Sequence, residues 1–196
     1  KYTLGIHASV ANYTVEEFLP DLLITYKQLQ LDFFHDLSRK ISEEIISFKI
    51  DFGIVVNPPP HPDLVITELF KDEVTYYTSK KKTPLNDLNS DALTLIVEPS
   101  LNQTQDILNK SHKKGLKFKR TLQSSNLEVI SKMVSCGAGV GILPRKVAEN
   151  AAQKLIKLPG SYPIFKDRIC LVYRTEFRKS EAAKELIQFI KDRLKS

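Results

Sequence analysis

The run from Leu122 to Val147, LQSSNLEVISKMVSCGAGVGILPRKV, decides how the chain is read. Its opening Ser125-Asn126-Leu127-Glu128 has the spacing of a capping box, in which the serine hydroxyl takes a first-turn amide and the glutamate reaches back. Leu127, Ile130, Met133 and Val134 then recur on one helical face. Gly137 is the expected stop, because glycine adopts the left-handed cap without a steric penalty. Val140, Ile142 and Leu143 form a short buried strand ending at Pro144. The order is helix, glycine turn, strand. A phosphate-cradling loop needs the reverse, with the strand first and the loop opening a helix whose amino end meets the anion. Here the glycines follow a helix carboxy end, where the dipole is negative, so Gly-Ala-Gly-Val-Gly is not a nucleotide loop. The polar group Ser124-Ser125-Asn126 does lie at a helix start. It can hold a small anion or simply satisfy the helix's own amides.

Working outward, the same alternation fills the chain. Tyr2 to Ile6 reads as a strand, with Ser9 placed to cap the helix after it. Val15, Phe18, Leu19, Leu22, Leu23 and Tyr26 keep helical spacing, and Pro20 predicts a break with a restart at the proline. Leu29 to Phe34 is a strand, Ser38 to Phe48 a helix with Ile41, Ile45 and Ile46 inward, and Asp51 to Val56 an apolar third strand. Four prolines within Asn57 to Pro62 interrupt the pattern. Leu64 to Phe70 and Val74 to Thr78 read as two strands leading into a second region. There Leu93 to Val97, Thr104 to Lys113 and Leu116 to Leu122 repeat strand, helix, strand. Val147 to Ala152 is a short helix, Leu155 to Leu158 a short strand, Asp167 to Tyr173 a strong strand, and Ser180 to Leu194 the last helix. This is an α/β chain of two Rossmann-like lobes. Lobe I comprises residues 1–75 and 165–196, and lobe II residues 76–164. Two crossings between lobes imply a central cleft with polar helix starts facing it: Ser9 and Ser38 from one lobe, Ser100 and Ser124 to Asn126 from the other.

Composition narrows the function. The 196 residues are 42% apolar and 27% charged, with a net charge of +6, an ordinary globular balance. No apolar run is long enough to span a membrane, and no signal peptide opens the chain. The abrupt start without methionine suggests a fragment or a processed chain. Cys136 and Cys170 have no metal or redox spacing and lie in apolar contexts, which predicts buried, reduced thiols in a cytoplasmic protein. Residues 1–75 are net acidic and 76–164 net basic, through Lys80-Lys81-Lys82 and the cluster of Lys113, Lys114, Lys117, Lys119 and Arg120. That cluster is either a solvated face or a nucleic-acid patch. His7, His35, His61 and His112 pair with no nucleophile at a diagnostic spacing, so no enzyme and no cofactor are expected.

Four stretches, in their order, resemble the effector-binding domain of LysR-type bacterial transcriptional regulators. They are Gly5 to Val10, His35 to Ser38 through Ile50 to Val55, Pro60 to Val65, and Ser125 to Pro144. Leu171 to Arg174 before the last helix also fits. The resemblance implies a type II periplasmic-binding-protein-like fold with a small effector between its lobes. It also implies a homodimer or tetramer of the full-length protein, and DNA bound only through an amino-terminal winged helix-turn-helix that this chain lacks. Carried over by position, the effector-binding residues are His7, Ser9, Val10, Ser38, Ser100, Ser124, Ser125 and Asn126. These offer hydroxyls, amides and helix amino ends, which suit a small carboxylate-bearing metabolite; with no arginine inside the motifs, a salt bridge to a dicarboxylate is not expected. The alternative is a standalone solute-binding protein of a transporter with the same fold.

Overall fold

The computed structural model describes residues 1–79 and 93–195. The lysine run 80–82 lies outside them. The chain divides into two compact units, Lys1–Lys71 with Asp167–Ser196, and Asp72–Lys166.

The first unit is built on β1 (Tyr2–Ile6), β2 (Leu31–Phe34) and β3 (Phe52–Val56), parallel in the order β2-β1-β3. A long strand, β9 (Phe165–Arg174), runs antiparallel beside β3, with Phe52 opposite Tyr173 and Val56 opposite Ile169. Side chains alternate across this sheet, so two cores form. On one face Leu4, Ile6, Phe52 and Ile54 pack against Phe18 and Leu22 of α1 (Ala8–Thr25) and against Leu186, Ile187 and Ile190 of α6 (Glu181–Leu194). On the other, Ile41 and Ile45 of α2 (Ser38–Ile46) meet Val55, Cys170 and Val172. Gly5 and Gly53 form the floor under α2: a Cβ on Gly5 would lie 2.5 Å from Ile41 Cγ2, and one on Gly53 2.9 Å from it.

α1 runs unbroken through Pro20, contrary to the break that residue predicts. Proline removes one donor and crowds the carbonyl four residues back, at a cost of roughly 3 kcal/mol in an ideal helix. Val10, Phe18 and Leu22, on both sides of Pro20, are buried. Each buried side chain of this kind is worth about 1.5–3 kcal/mol, so packing overrides the local rule. Pro20 itself is exposed. Pro20→Ala should therefore stabilise the chain by about 1–2 kcal/mol, the restored hydrogen bond outweighing the looser unfolded chain. Thermal melting checks this; an unchanged or lower midpoint would show that the helix carries no strain at the proline.

The second unit orders its strands as β4-β7-β5-β6. β4 (Leu64–Ser79) enters from the first unit, and its second half pairs antiparallel with β7 (Val140–Pro144) and with β8 (Leu155–Lys157). β5 (Thr94–Val97) lies parallel to both β7 and β6 (Arg120–Gln123). α3 (Asn102–Lys113) buries Ile107 against Val74, Tyr76, Leu95, Val97 and Ile142. α4 (Leu127–Ser135) uses the opposite face, which is open because Gly141 has no side chain: a Cβ there would lie 2.6 Å from Val134 Cγ2. The short α5 (Arg145–Glu149) follows β7 directly, earlier than the apolar pattern predicts.

β4 corrects the reading of two separate strands. Lys71-Asp72-Glu73 breaks the apolar pattern, yet the strand continues because buried Asp72 is bonded in place. Its carboxylate accepts the amides of Glu73 at 2.8 Å and Lys146 at 3.2 Å, with Arg145 Nε at 3.4 Å. Burial raises the Asp72 carboxyl above its ordinary range, and these donors oppose the shift.

Candidate functional site

Ligands of open α/β sheets lie beyond the carboxy ends of the strands. In the first unit that edge carries His7 after β1, His35 after β2 and Asn57 after β3. α1 is capped by His7, whose Nδ1 accepts the Ser9 amide at 3.3 Å, and not by Ser9 as the spacing suggests. Ser9 falls inside the first turn instead. It is only 2% exposed, and its hydroxyl has no hydrogen-bond partner among the described residues. Val10 is a core residue, and its amide is taken by His7 O at 2.9 Å. Ser38 opens α2 as its first helical residue, with Leu37 as the cap. Its hydroxyl accepts the Val56 amide at 2.9 Å, tying the start of α2 to the end of β3.

Two residues on this edge escaped the sequence. His35 Nδ1 lies 2.9 Å from Ile6 O, joining the ends of β2 and β1. Asn57 takes a left-handed φ of 50° and bridges to β9, donating to Asp167 Oδ1 at 2.6 Å and accepting the Arg168 amide at 2.8 Å. The one legible signal at Asn57 was its type, since asparagine tolerates that conformation better than most residues.

In the second unit the edge is formed by the ends of β5 and β6, where the Ser124 amide donates to Val97 O at 3.1 Å. Asn126, not Ser125, caps α4: its Oδ1 accepts the Val129 amide at 2.9 Å. The predicted Ser125–Glu128 box is displaced by one residue. An asparagine carbonyl reaches the third amide as well as a serine does, and the Ser124 hydroxyl holds the turn by accepting the Asn126 amide at 3.2 Å. Ser125 itself is exposed. Gly137, at φ 83°, ends α4 as predicted, with its amide on Val134 O and that of Ala138 on Met133 O.

Ser100 does not cap α3; Leu101 occupies that position. The Ser100 amide and hydroxyl both donate to Glu98 Oε1, at 3.0 and 2.6 Å. Glu98, just past the apolar run of β5, is 4% exposed. No periodicity marks it, since an acidic residue after a strand ordinarily reads as a solvated turn.

Cys170 is buried and burial pushes its thiol up, whereas Cys136 is exposed, a correction to its predicted burial. It is the C-cap of α4, where the chain turns outward. Lys113, Lys114, Lys117, Lys119 and Arg120 are exposed. Among the described residues no three His, Cys, Asp or Glu side chains gather as a metal-binding group. No helix among them is long and apolar enough to cross a membrane.

The family model of the LysR substrate binding domain matches residues 1–195. The chain is 21% identical over 193 residues to the HTH-type transcriptional regulator YofA of Bacillus velezensis, covering 96% of this chain and 66% of the relative. It is 19% identical over 182 residues to the HTH-type transcriptional regulator SoxR of Arthrobacter sp., covering 89% of this chain and 62% of that one. Among solved structures, the CcmR regulatory domain of Synechocystis in complex with 2-PG superposes with a TM-score of 0.79 at 17% identity, covering 100% of this chain and 97% of that one. The reduced OxyR regulatory domain of Pseudomonas aeruginosa gives 0.72 at 18% identity, with 99% and 96% covered. The mixed α/β fold is that of LysR effector-binding domains, and the chain belongs to the LysR substrate binding domain family.

Proposed function

We propose that this chain is the sensor of a cytoplasmic LysR-type regulator and that it binds a small carboxylate-bearing metabolite. Residues 1–71 with 167–196 act as lobe I and residues 72–166 as lobe II. The carrying observation is Ser9: a buried hydroxyl without a partner among the described residues, in the first turn of an 18-residue helix. Such groups are ordinarily bonded, and a helix amino end favours an anion. The CcmR regulatory domain, similar in fold, holds 2-PG in its solved complex, which supports a small-molecule reading. His7, Ser38, Ser100, Ser124 and Asn126 complete the proposed set, with Ser125 and the Val10 backbone at its margin.

In the parent protein the sensor is not catalytic. Effector binding shifts the balance between two arrangements that it binds unequally. That shift is passed to a DNA-binding part outside this chain, within a homodimer or tetramer. A transporter's solute-binding protein is not favoured by the regulator relatives.

The test is a thermal-shift screen of organic acids, followed by calorimetry on Ser9→Ala. This variant should melt no lower than the parent chain, because it removes an unsatisfied polar group. It should bind the hit about tenfold more weakly, the value of a hydrogen bond of about 1.4 kcal/mol. Stabilisation only by compounds that carry no carboxylate, or full affinity in Ser9→Ala, would refute the site.

A further inference from the structure

The effector edge of the second unit holds a group that a simple anion site would exclude. Glu98 follows Val97, the last residue of β5, and Val97 is paired in register with Gln123 of β6. Glu98 therefore lies beside Ser124, past the ends of two parallel strands, with α3 and α4 both starting within a few residues. Its side chain is 4% exposed in a region of the sequence that is otherwise basic. Oε1 is occupied, accepting both the amide and the hydroxyl of Ser100. Oε2 is buried and has no hydrogen-bond partner among the described residues.

A buried carboxylate oxygen left without a donor is expensive, more so than a neutral polar atom. The two bonds to Oε1 also orient the side chain, so Oε2 cannot turn freely toward water. Ser100, which holds it, is exposed, so Glu98 lies directly beneath a surface residue at the strand end. A second carboxylate brought to this point would meet a like charge. An ammonium would supply the missing donor and the opposite charge together.

We infer that Glu98 is a specificity-determining residue of the effector site, and that its free oxygen receives the amino group of an effector that is an amino acid. This rests on the proposed sensor function and narrows its ligand from acids in general to acids that also carry an amine. The helix amino ends take the carboxylate, and Glu98 takes the ammonium.

The experiment is calorimetry of this chain against amino acids and the acids lacking only the amino group: aspartate with succinate, glutamate with glutarate, alanine with propionate, and so through the common set. We expect at least one amino acid to bind about tenfold to a hundredfold more tightly than its partner acid, the range of a hydrogen bond to a charged group. Glu98→Gln keeps an oxygen for Ser100 but offers an amide in place of Oε2, and it should abolish that preference. Ser100→Ala, which leaves the carboxylate intact, should reduce the preference without abolishing it. The comparison within the parent chain needs no variant, so a poorly folding Glu98→Gln does not block the test. Equal binding of both members of every pair, or tighter binding of the des-amino acids, overturns the role of Glu98 while leaving the sensor standing. A preference that survives in folded Glu98→Gln does the same. Binding by no acid of either kind removes both.

Discussion

Replacing Gly139 with alanine is expected to destabilise the chain by on the order of 3 kcal/mol, the upper range for overpacking. At about 2–4 °C per kcal/mol for a chain of this size, the melting midpoint should fall by roughly 6–12 °C. The cause is backbone against backbone. A Cβ on Gly139 would lie 2.2 Å from the carbonyl oxygen of Thr94 and 3.0 Å from its carbonyl carbon. Thr94 cannot retreat, because it begins β5 and is paired with Arg120 on its other side. Gly141→Ala provides the contrast. Its nearest neighbour is a side-chain methyl of Val134, at 2.6 Å, which can yield by a small shift of α4. A loss of about 1–2 kcal/mol is expected there. Differential scanning calorimetry on both variants checks the ranking. An unchanged midpoint for Gly139→Ala would show that these glycines serve something other than close packing. ATP should protect neither variant nor parent, since the loop follows a helix carboxy end.

The second large effect is expected at Arg174, the last residue of β9. Its Nη1 donates to the carbonyl of Ile45, at the end of α2, and lies 3.5 Å from Ile50 O. Its guanidinium sits 3.7 Å from the centre of the Phe48 ring. Phe48 adopts a φ of 63°, unusual for a bulky residue, at the turn that returns the chain to β3. Arg174 thus closes the carboxy end of α2 with a cation, adds a charged donor to the Ile45 carbonyl that the Phe48 amide already reaches, and holds Phe48 over itself. Arg174→Met keeps much of the packing but loses the donors and the charge. The expected cost is about 2–4 kcal/mol, the combined size of charged hydrogen bonds and a helix-end interaction. Hydrogen exchange should localise the change, with the amides of Phe48, Lys49 and Ile50 exchanging faster and those of α6 unaffected. Retention of both stability and protection in Arg174→Met would mean that the turn holds itself.

Both positions illustrate how legibility divides in this chain. Gly137 could be assigned from sequence because a helix end is a local event: the residue needs only its own backbone freedom. Gly139 and Gly141 could be recognised as unsuited to phosphate from their order relative to helix and strand. What they do instead depends on Thr94 and Val134, and one of these is far away in sequence. Pro20 misled for the complementary reason. The rule that breaks helices at proline is local, whereas the burial that overrides it comes from packing of α1 against the sheet and α6.

The candidate site was less legible than the fold. Hydroxyl residues at helix starts were visible as a class, but their individual duties were not. His7 and Asn126 do the capping that Ser9 and Ser125 were expected to do. The Ser38 hydroxyl accepts the Val56 amide, and the Ser100 hydroxyl donates to Glu98. A short polar side chain can reach several amides, and which one it takes is decided by where the neighbouring strand ends.

By itself, then, the sequence determined the α/β class, the extent of most helices and strands, the direction of the glycine turn and the family resemblance. All of these are written in periodicities and residue types a few positions apart. Tertiary structure alone decided that β4 is one strand, that Cys136 faces outward, that Asn57 clasps β9, and that Ser9 and Glu98 hold buried polar atoms without partners among the described residues. Hydrogen-bond satisfaction and burial are properties of the packed neighbourhood, and no local pattern along the chain encodes them.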